Sequence, residues 1–511
     1  MFKKSTTNRQ TDFLGNFSMN LDQQRVEILN DSEAWYNQFF EQVVCRIDES
    51  CFEVLYHSHM GRSNASIRTL LAMMALKEGF GWSDSQLYEQ VHFNLMVMKA
   101  LGFENLNDKA PVSSTYYLFK QAVYNYRVEQ GRDLILEAFK ALTKDQAEFF
   151  DVDGQKVRMD SKLIGSNIVR CSRLQLIISC LQAFWKSLSE DLQTKLDDDR
   201  RVVIDELCTK KSNQIVYPLS EAEKSQKLID LGALLLHLQC FYNDSDSDKH
   251  HLLERILDEQ YQVEDDKTTL KPGKGIPADS IQSPYDLDAA YRKKSSQTVN
   301  GYSVNVTETC NDQALNLIVD VQTEKATQAD NNYVQPALDN ARDVIGTIKE
   351  AYLDGAYQSP KNAKYGQTKE INMVFTGIQG ATGNFEFIQT DFCLQVFNRQ
   401  TGETIEATEY KPGHYKIKLP SGKWRYFKQQ EIESFERRKV IQSLPSEVRN
   451  RRNNVEATIF QLSFHTRNNK TRYRGQFRNS IWAISRSIWI NLVRIRKHVE
   501  TQARLEKMAL A

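Results

Sequence analysis

The hydrophobic period of this chain changes near residue 149, and that change sets the fold class. Before it, apolar residues recur at helical spacing: Ile67, Leu70, Leu71 and Met74 share one face. Asn64 is placed to cap that helix, and Gly79-Phe80-Gly81 breaks it. Ser83 and Gln86 have the spacing of a capping box for a second helix carrying Leu87 and Val91, and Pro111 and Ser113 open a third. Beyond residue 149 the pattern shortens. Phe149-Phe150-Asp151-Val152 and Lys156-Val157-Arg158-Met159 flank Asp153-Gly154, which predicts a β-hairpin. Helical spacing returns over 168–260, with Ile177, Ile178, Leu181, Phe184 and Trp185 as its apolar stripe. Strand-like runs follow at 302–309 and 315–321, then a helix over 334–348 and short strands at 351–353 and 372–376. Residues 384–430 read as β-rich, with Gly402, Gly413 and Gly422 as turn punctuation, and the chain from 431 onward reads as helical. A chain of 511 residues exceeds one simple core. The expected division is a polar tail (1–30), a helical domain (31–145), an α/β domain (146–500) and a tail (501–511). The α/β domain is interrupted by a helical insertion (168–275) and a β-rich insertion (383–436).

The formal charge is zero, with 66 basic and 66 acidic residues, which on its face argues against a nucleic-acid binder. The total conceals segregation. Residues 437–499 hold 15 Lys and Arg against two acids, a net of +13, whereas 186–267 hold 19 acids against 11 bases, a net of −8. Such a basic stretch suits a polyanion or a solvated helix face. No apolar run approaches the roughly 18 residues of a membrane span, and residues 1–20 lack a secretory core, so no membrane partner is expected. Eight scattered cysteines without a Cys-x-x-Cys pair give no zinc knuckle or disulfide framework, and a reducing cytoplasm is the default. His250-His251 and His57-x-His59 lack a third ligand at metal spacing and read as loop residues; the 244–248 Asp/Ser run reads as a solvated loop. Helix, glycine turn, helix in the 31–145 region fits a helix-turn-helix DNA reader or a plain helical bundle.

Three carboxylates stand where phosphoryl chemistry would want them. Asp160 follows the strand at 156–159, Asp354 ends the one before Gly355-Ala356-Tyr357, and Glu456 lies early in a late helix. Neighbouring strand ends and a crossing helix can gather the three, and Mg²⁺ is commonly held by a few carboxylates plus water and phosphate oxygens. Each also has a plainer reading: Asp354-Gly355 is an ordinary turn dipeptide, Asp160 can cap a turn with Ser161, and Glu456 can balance nearby arginines. Asp151-x-Asp153-Gly154 lacks the Glu at the twelfth position that a calcium loop requires.

The element order resembles the ribonuclease-H-like plan, a mixed sheet with helices on both faces. The words around the carboxylates resemble bacterial insertion-sequence DDE transposases. They are Met159-Asp160-Ser161-Lys162-Leu163-Ile164-Gly165, Leu353-Asp354-Gly355-Ala356-Tyr357, and Val455-Glu456-Ala457-Thr458, followed by Thr471-Arg472-Tyr473-Arg474-Gly475. Upstream, Gly61-Arg62-Ser63 and Gly79-Phe80-Gly81-Trp82-Ser83 are similar to the helical domain preceding such cores. The resemblance implies that Asp160, Asp354 and Glu456 bind two Mg²⁺ or Mn²⁺ ions. It further implies cleavage at element ends and strand transfer into target DNA, with double-stranded DNA as partner and a homodimer in the DNA complex. Arg452 precedes Glu456 by four, as in the family's Tyr-x2-Arg-x3-Glu-x6-Lys helix, but Arg449 and Ser463 replace its Tyr and Lys, so Arg467 or Lys470 would substitute. With Cys393 as the sole cysteine of the β-rich insertion, no zinc is expected. Arg472, Arg474, Arg478, Arg486, Arg494 and Arg496 would meet phosphates, with Arg68 and Lys77 either at terminal repeats or on a plain surface. Trp482 and Trp489, seven apart, serve core packing or stack on an unpaired base. A nuclease without strand transfer and an inactive DNA-binding derivative stay open.

Overall fold

The computed structural model describes residues 1–5, 16–57, 62–243, 249–294, 297–377, 383–390 and 393–510; His59, Gly61 and the 244–248 run lie outside them. The N-terminal region is helical: α1 (Gln23–Leu29), α2 (Trp35–Phe39), α3 (Ile67–Phe80), α4 (Asp84–Phe93), α5 (Leu95–Ala100), α6 (Ser113–Gln130) and α7 (Leu134–Phe149). Ser66, not Asn64, caps α3: its hydroxyl accepts from the Thr69 amide at 3.2 Å, while the Asn64 side chain accepts from the Lys3 amide at 2.7 Å. Gly81 closes α3 in the left-handed region, φ 71°, and Ser83 and Gln86 form the reciprocal capping box of α4. The first residues are not a free tail. The N-terminal amine donates to the Arg62 carbonyl, Ser5 to Glu49, and Phe17 and Leu29 are buried.

No hairpin forms at Asp153-Gly154. Phe149 is the last residue of α7, whose apolar face (Leu134, Ile135, Ala138, Phe139, Leu142) is buried, so the helix takes the first residue of the segment expected as a strand and Phe150 caps it. Asp153 accepts from the Gln155 amide at 2.9 Å, so this turn joins a helix to a strand. Gly154 lies so close to the Ile345 carbonyl that a Cβ would stand 2.5 Å from it.

The central sheet contains β1 (Lys156–Gly165) and later strands separated by a helical insertion. That insertion comprises α8 (Arg173–Trp185), α9 (Glu190–Gln193), α10 (Asp198–Cys208), α11 (Ser212–Val216), α12 (Glu221–Phe241) and α13 (His250–Gln260). A small hairpin, β2 (Tyr261–Glu264) and β3 (Lys267–Leu270), closes it. It has its own core, including Ile177, Leu181, Phe184, Leu235 and Ile256. His250 opens α13 beside the Phe184 ring, so it is not a loop residue. The sheet resumes with β4 (Ala290–Lys294), β5 (Gln297–Thr309), β6 (Ile318–Lys325), β7 (Glu350–Leu353) and β8 (Asn372–Phe375). β1 pairs antiparallel with β5 on one side and parallel with β7 on the other; β7 pairs parallel with β8. β6 and β4 pair with successive parts of β5. Between β6 and β7 runs α14 (Val334–Ile345), and between β7 and β8 runs α15 (Pro360–Thr368). A separate five-stranded antiparallel sheet follows: β9 (Phe385–Gln389), β10 (Leu394–Asn398), β11 (Thr404–Lys411), β12 (His414–Lys418) and β13 (Trp424–Lys428). The chain ends in α16 (Gln429–Ser443), α17 (Ser446–Leu462) and α18 (Gln476–Leu510). Residues 501–510, expected as a tail, continue α18.

Strand alternation gives the central sheet two apolar faces. Val157 and Met159 pack with α14 through Ala337, Leu338 and Ala341. Ile164, Val304 and Val306 join one cluster with α3, α7 and α18. The N-terminal helices therefore share a core with the sheet. Trp482 is buried in that cluster, and Trp489 packs against Trp35, Phe39 and Phe80, which settles both tryptophans as core residues. No described helix is long and apolar enough to cross a membrane. A Cβ at Gly79 would collide with the Trp489 indole, a rigid group held on several sides. Gly79→Ala is expected to destabilise the protein by about 1–3 kcal/mol through overpacking, read as a lower midpoint in chemical denaturation.

Candidate active site

The site is built on a buried charge network. Glu308 of β5 is fully buried. Its carboxylate accepts from Arg158 Nε of β1 at 2.6 Å and from Thr458 Oγ1 of α17 at 2.7 Å, and it pairs with Arg494 Nη2 of α18 at 2.8 Å. Burial raises the proton affinity of this carboxyl, but Arg494 and Arg158 outweigh burial and hold it below its usual value. Arg158 also donates to the Arg451 carbonyl, and Arg451 donates to the Tyr352 hydroxyl at 2.8 Å. These bonds clamp α17 across β1 and β7.

That clamp places the three carboxylates. Arg158 stands opposite Tyr352 in the parallel pairing of β1 and β7. Two residues further along each chain come Asp160, still within β1, and Asp354, just past the end of β7, near enough for its charge to act on Asp160. Asp160 lies within β1 rather than at its end. Each carboxylate accepts from the next residue's amide, Asp160 from Ser161 at 2.8 Å and Asp354 from Gly355 at 2.7 Å. Gly377 leaves room for Asp354: a Cβ there would lie 2.8 Å from its Oδ1. Burial pushes the Asp160 carboxyl up to about 6 against the pull of Arg452 and the Ser161 amide, and the charge of Asp354 adds to the rise. Arg452 bridges the third acid, with Nη1 3.6 Å from Asp160 Oδ2 and Nη2 2.9 Å from Glu456 Oε1. Among the described residues no three His, Cys, Asp or Glu side chains form a group that could hold a metal ion. Asp160 and Asp354 nonetheless match the hard oxygen donors that Mg²⁺ or Mn²⁺ takes.

The basic residues divide. Arg486 is 2% exposed and donates to the carbonyls of Glu78, Gly79 and Gln461. Arg494 donates to Thr458 and the Asn316 carbonyl besides pairing with Glu308. Both guanidiniums are committed inside the protein, which corrects their expected placement on a DNA surface. Lys77 is likewise buried and paired with Asp84, and Arg496 pairs with Glu500. Arg68 donates to the Ile47 carbonyl. The loop between α17 and α18 exposes Arg467, Lys470, Arg472 and Arg474, and Arg478 is exposed on the first turn of α18. Several are anchored by backbone carbonyls: Lys470 at Ile168, Arg472 at Gly81 and Trp82, and Arg474 at Asn167. The face of α4 that would read DNA in a helix-turn-helix carries no Lys or Arg.

Sequence reading missed Arg158, Glu308 and Arg451. The signal available for Arg158 was a charge within the strand-like run 156–159, on the opposite face from Val157 and Met159.

Residues 27–122 match the family model described as a transposase domain (DUF772), which runs from the last residues of α1 into α6. No curated protein matches. Among solved structures, the chain is similar to one titled as a cryo-EM structure of the piggyBac transposase synaptic complex with hairpin DNA. The identity is 9%, over 92% of this chain and 75% of that one, with a TM-score of 0.31.

Because burial raises the Asp160 carboxyl, its ionisation costs folding stability. That cost is absent well below pH 4 and is fully incurred once pH has risen past about 6. Asp160→Asn is expected to melt higher than the parent at pH 8 without divalent cation, with the difference disappearing near pH 4, as read by thermal denaturation. Glu308→Gln leaves the buried Arg158 and the half-buried Arg494 undercompensated and is expected to cost about 3–5 kcal/mol in urea unfolding at neutral pH.

Proposed function

We propose that the chain is a DDE transposase with a ribonuclease-H-like catalytic core, cutting DNA at the ends of its element and joining the freed strand to target DNA. The observation that carries this reading is that Arg452 links Asp160 to Glu456, while Asp354, at the end of the strand paired parallel to β1, is near enough for its charge to act on Asp160. The strand order supports the core: an antiparallel run β6–β5–β1 continued by parallel β7 and β8, with helices on both faces. The family match over 27–122 supports transposition.

Asp160, Asp354 and Glu456 would hold two Mg²⁺ or Mn²⁺ ions, which when bound would stabilise the attacking and leaving oxygens of an in-line displacement at phosphorus. The protein's own part is positioning. Asp160 and Asp354 are oriented by the amides of Ser161 and Gly355, and the Glu308 clamp fixes the helix bearing Glu456. Arg452 neutralises Asp160 and Glu456 and offers its guanidinium to a phosphate when those acids take other partners. Arg467, Lys470, Arg472, Arg474 and Arg478 form an exposed basic rim for duplex DNA. Synapsis of two ends makes a homodimer the natural working form.

Asp160→Ala, Asp354→Ala and Glu456→Ala are each expected to lower Mg²⁺-dependent cleavage of an end-bearing DNA by at least about a thousandfold while retaining DNA binding in a gel-shift assay. Retained cleavage in any of the three removes the triad. Cleavage by the parent protein with no joined product on a plasmid target would instead identify a nuclease without strand transfer.

A further inference from the structure

One helix of the N-terminal region turns an acid-free face to solvent. Residues 113–128 of α6 include no Asp or Glu. Ser114, Tyr117, Gln121 and Asn125 recur at intervals of three or four, so they form one stripe along the helix, and all four are exposed. Their side chains donate and accept hydrogen bonds without carrying charge, and the Gln121 amide donates to Asn125 Oδ1 at 2.8 Å. The exposed face of α4, by contrast, has Glu89 and no Lys or Arg.

Two cations border that stripe where α18 begins. The Tyr124 and Phe477 rings meet at a centroid distance of 5.2 Å, which docks the first turn of α18 on α6. Arg478, the next residue, is exposed, and its charge acts on both Tyr117 and Lys120. Lys120 Nζ lies 4.0 Å from the centroid of the Tyr116 ring and 4.6 Å from that of Tyr117. Neither Lys120 nor Arg478 has a hydrogen-bond or ion-pair partner among the described residues. The carboxylates whose charge reaches Lys120 are already engaged, Asp84 by Lys77 and the Tyr117 hydroxyl, and Glu78 by the Tyr473 hydroxyl. Lys120 is half-buried, and burial, followed by the charge of Lys77, pushes its ammonium down to about 8. A partly desolvated ammonium beside an unpaired guanidinium is stabilised by meeting an anion.

We propose that α6 and the first turn of α18 form one duplex-DNA surface, in which Lys120 and Arg478 take backbone phosphates and the stripe of Tyr117, Gln121 and Asn125 faces the adjoining groove. Charge complementarity selects DNA as the occupant. The stripe is acid-free, two unpaired cations border it, and Arg478 continues the exposed loop carrying Arg472 and Arg474. Gln and Asn amides also match the neighbouring acceptor and donor on an adenine edge. The helix that meets DNA is then α6 rather than α4. This inference rests on the proposed function for DNA as partner and adds the surface that takes it.

The test uses the full-length protein and a fluorescein-labelled 30-base-pair duplex, with anisotropy measured between 50 and 200 mM salt in the absence of divalent cation. Removing a cation that neutralises one phosphate lowers the slope of log affinity against log salt by about 0.9, roughly an eightfold weaker affinity at 0.1 M salt. Lys120→Gln and Arg478→Gln are each expected to show that weakening. Gln121→Glu, which places an acid on the exposed stripe, is expected to weaken binding to a similar extent. Lys210→Gln removes one exposed charge from the helical insertion, which has its own core, and is expected to leave the slope unchanged. Equal effects in all four variants, which would reflect net charge alone, overturn the surface, and so does unchanged binding in Lys120→Gln and Arg478→Gln. Unchanged DNA binding in Gln121→Glu with a lower mass in sedimentation velocity would give the stripe to a second copy of the chain, which also overturns it. Thermal melting of each variant separates misfolding from weakened binding, and the exposed Gln121→Glu keeps the test available if Lys120→Gln misfolds. A parent protein that binds no DNA refutes the proposed function itself. A parent that binds with a steep salt dependence, while its α6 and α18 variants bind equally well, refutes this surface alone.

Discussion

The buried Glu308 carboxylate is the interaction on which the arrangement depends. It lies in the middle of β5, yet its partners come from β1, α17 and α18, elements remote from it along the chain. An unpaired carboxylate at such depth would cost several kcal/mol; here two guanidiniums and a hydroxyl surround it. The geometry is demanding, because removing Glu308 strands both arginines and removing either arginine weakens the compensation of a fully buried carboxylate. The network therefore selects one placement of α17 on the sheet, and that placement sets Arg452 between Asp160 and Glu456.

A second constraint ties the N-terminal helices to the same frame. Arg486 of α18 donates to carbonyls at the end of α3, the Tyr473 hydroxyl bonds to the buried Glu78, and Trp489 covers Gly79. Burial raises the Glu78 carboxyl despite Lys77 nearby. The helical region carrying the transposase-domain match thus shares its core with the sheet and α18. The two insertions keep their own clusters, consistent with the tolerance of sheet connections for added length.

Much of this was legible in the sequence, and the misses have physical causes. The central strands, α14 and the β-rich segment followed from period and turn residues, because burial on one or both faces forces alternation or apolar runs. Asp160 and Asp354 were legible as carboxylates at strand-like runs. The hairpin at Asp153-Gly154 was not formed because a short apolar run such as Phe149-Phe150 suits a helix end as well as a strand, and α7 already had a face to extend. Arg486 and Arg494 were read as surface cations because composition carries no burial. Their partners are backbone carbonyls at Glu78 and Asn316 and a carboxylate in β5, all remote in sequence.

The proposed function requires that Asp160 and Asp354 together form a cation site. Electron paramagnetic resonance of Mn²⁺ titrated into the full-length protein with duplex DNA measures this directly. Saturable Mn²⁺ binding is expected, disappearing in Asp160→Asn and in Asp354→Asn, with both variants still folded and still holding DNA. Undiminished Mn²⁺ binding in either variant would contradict it.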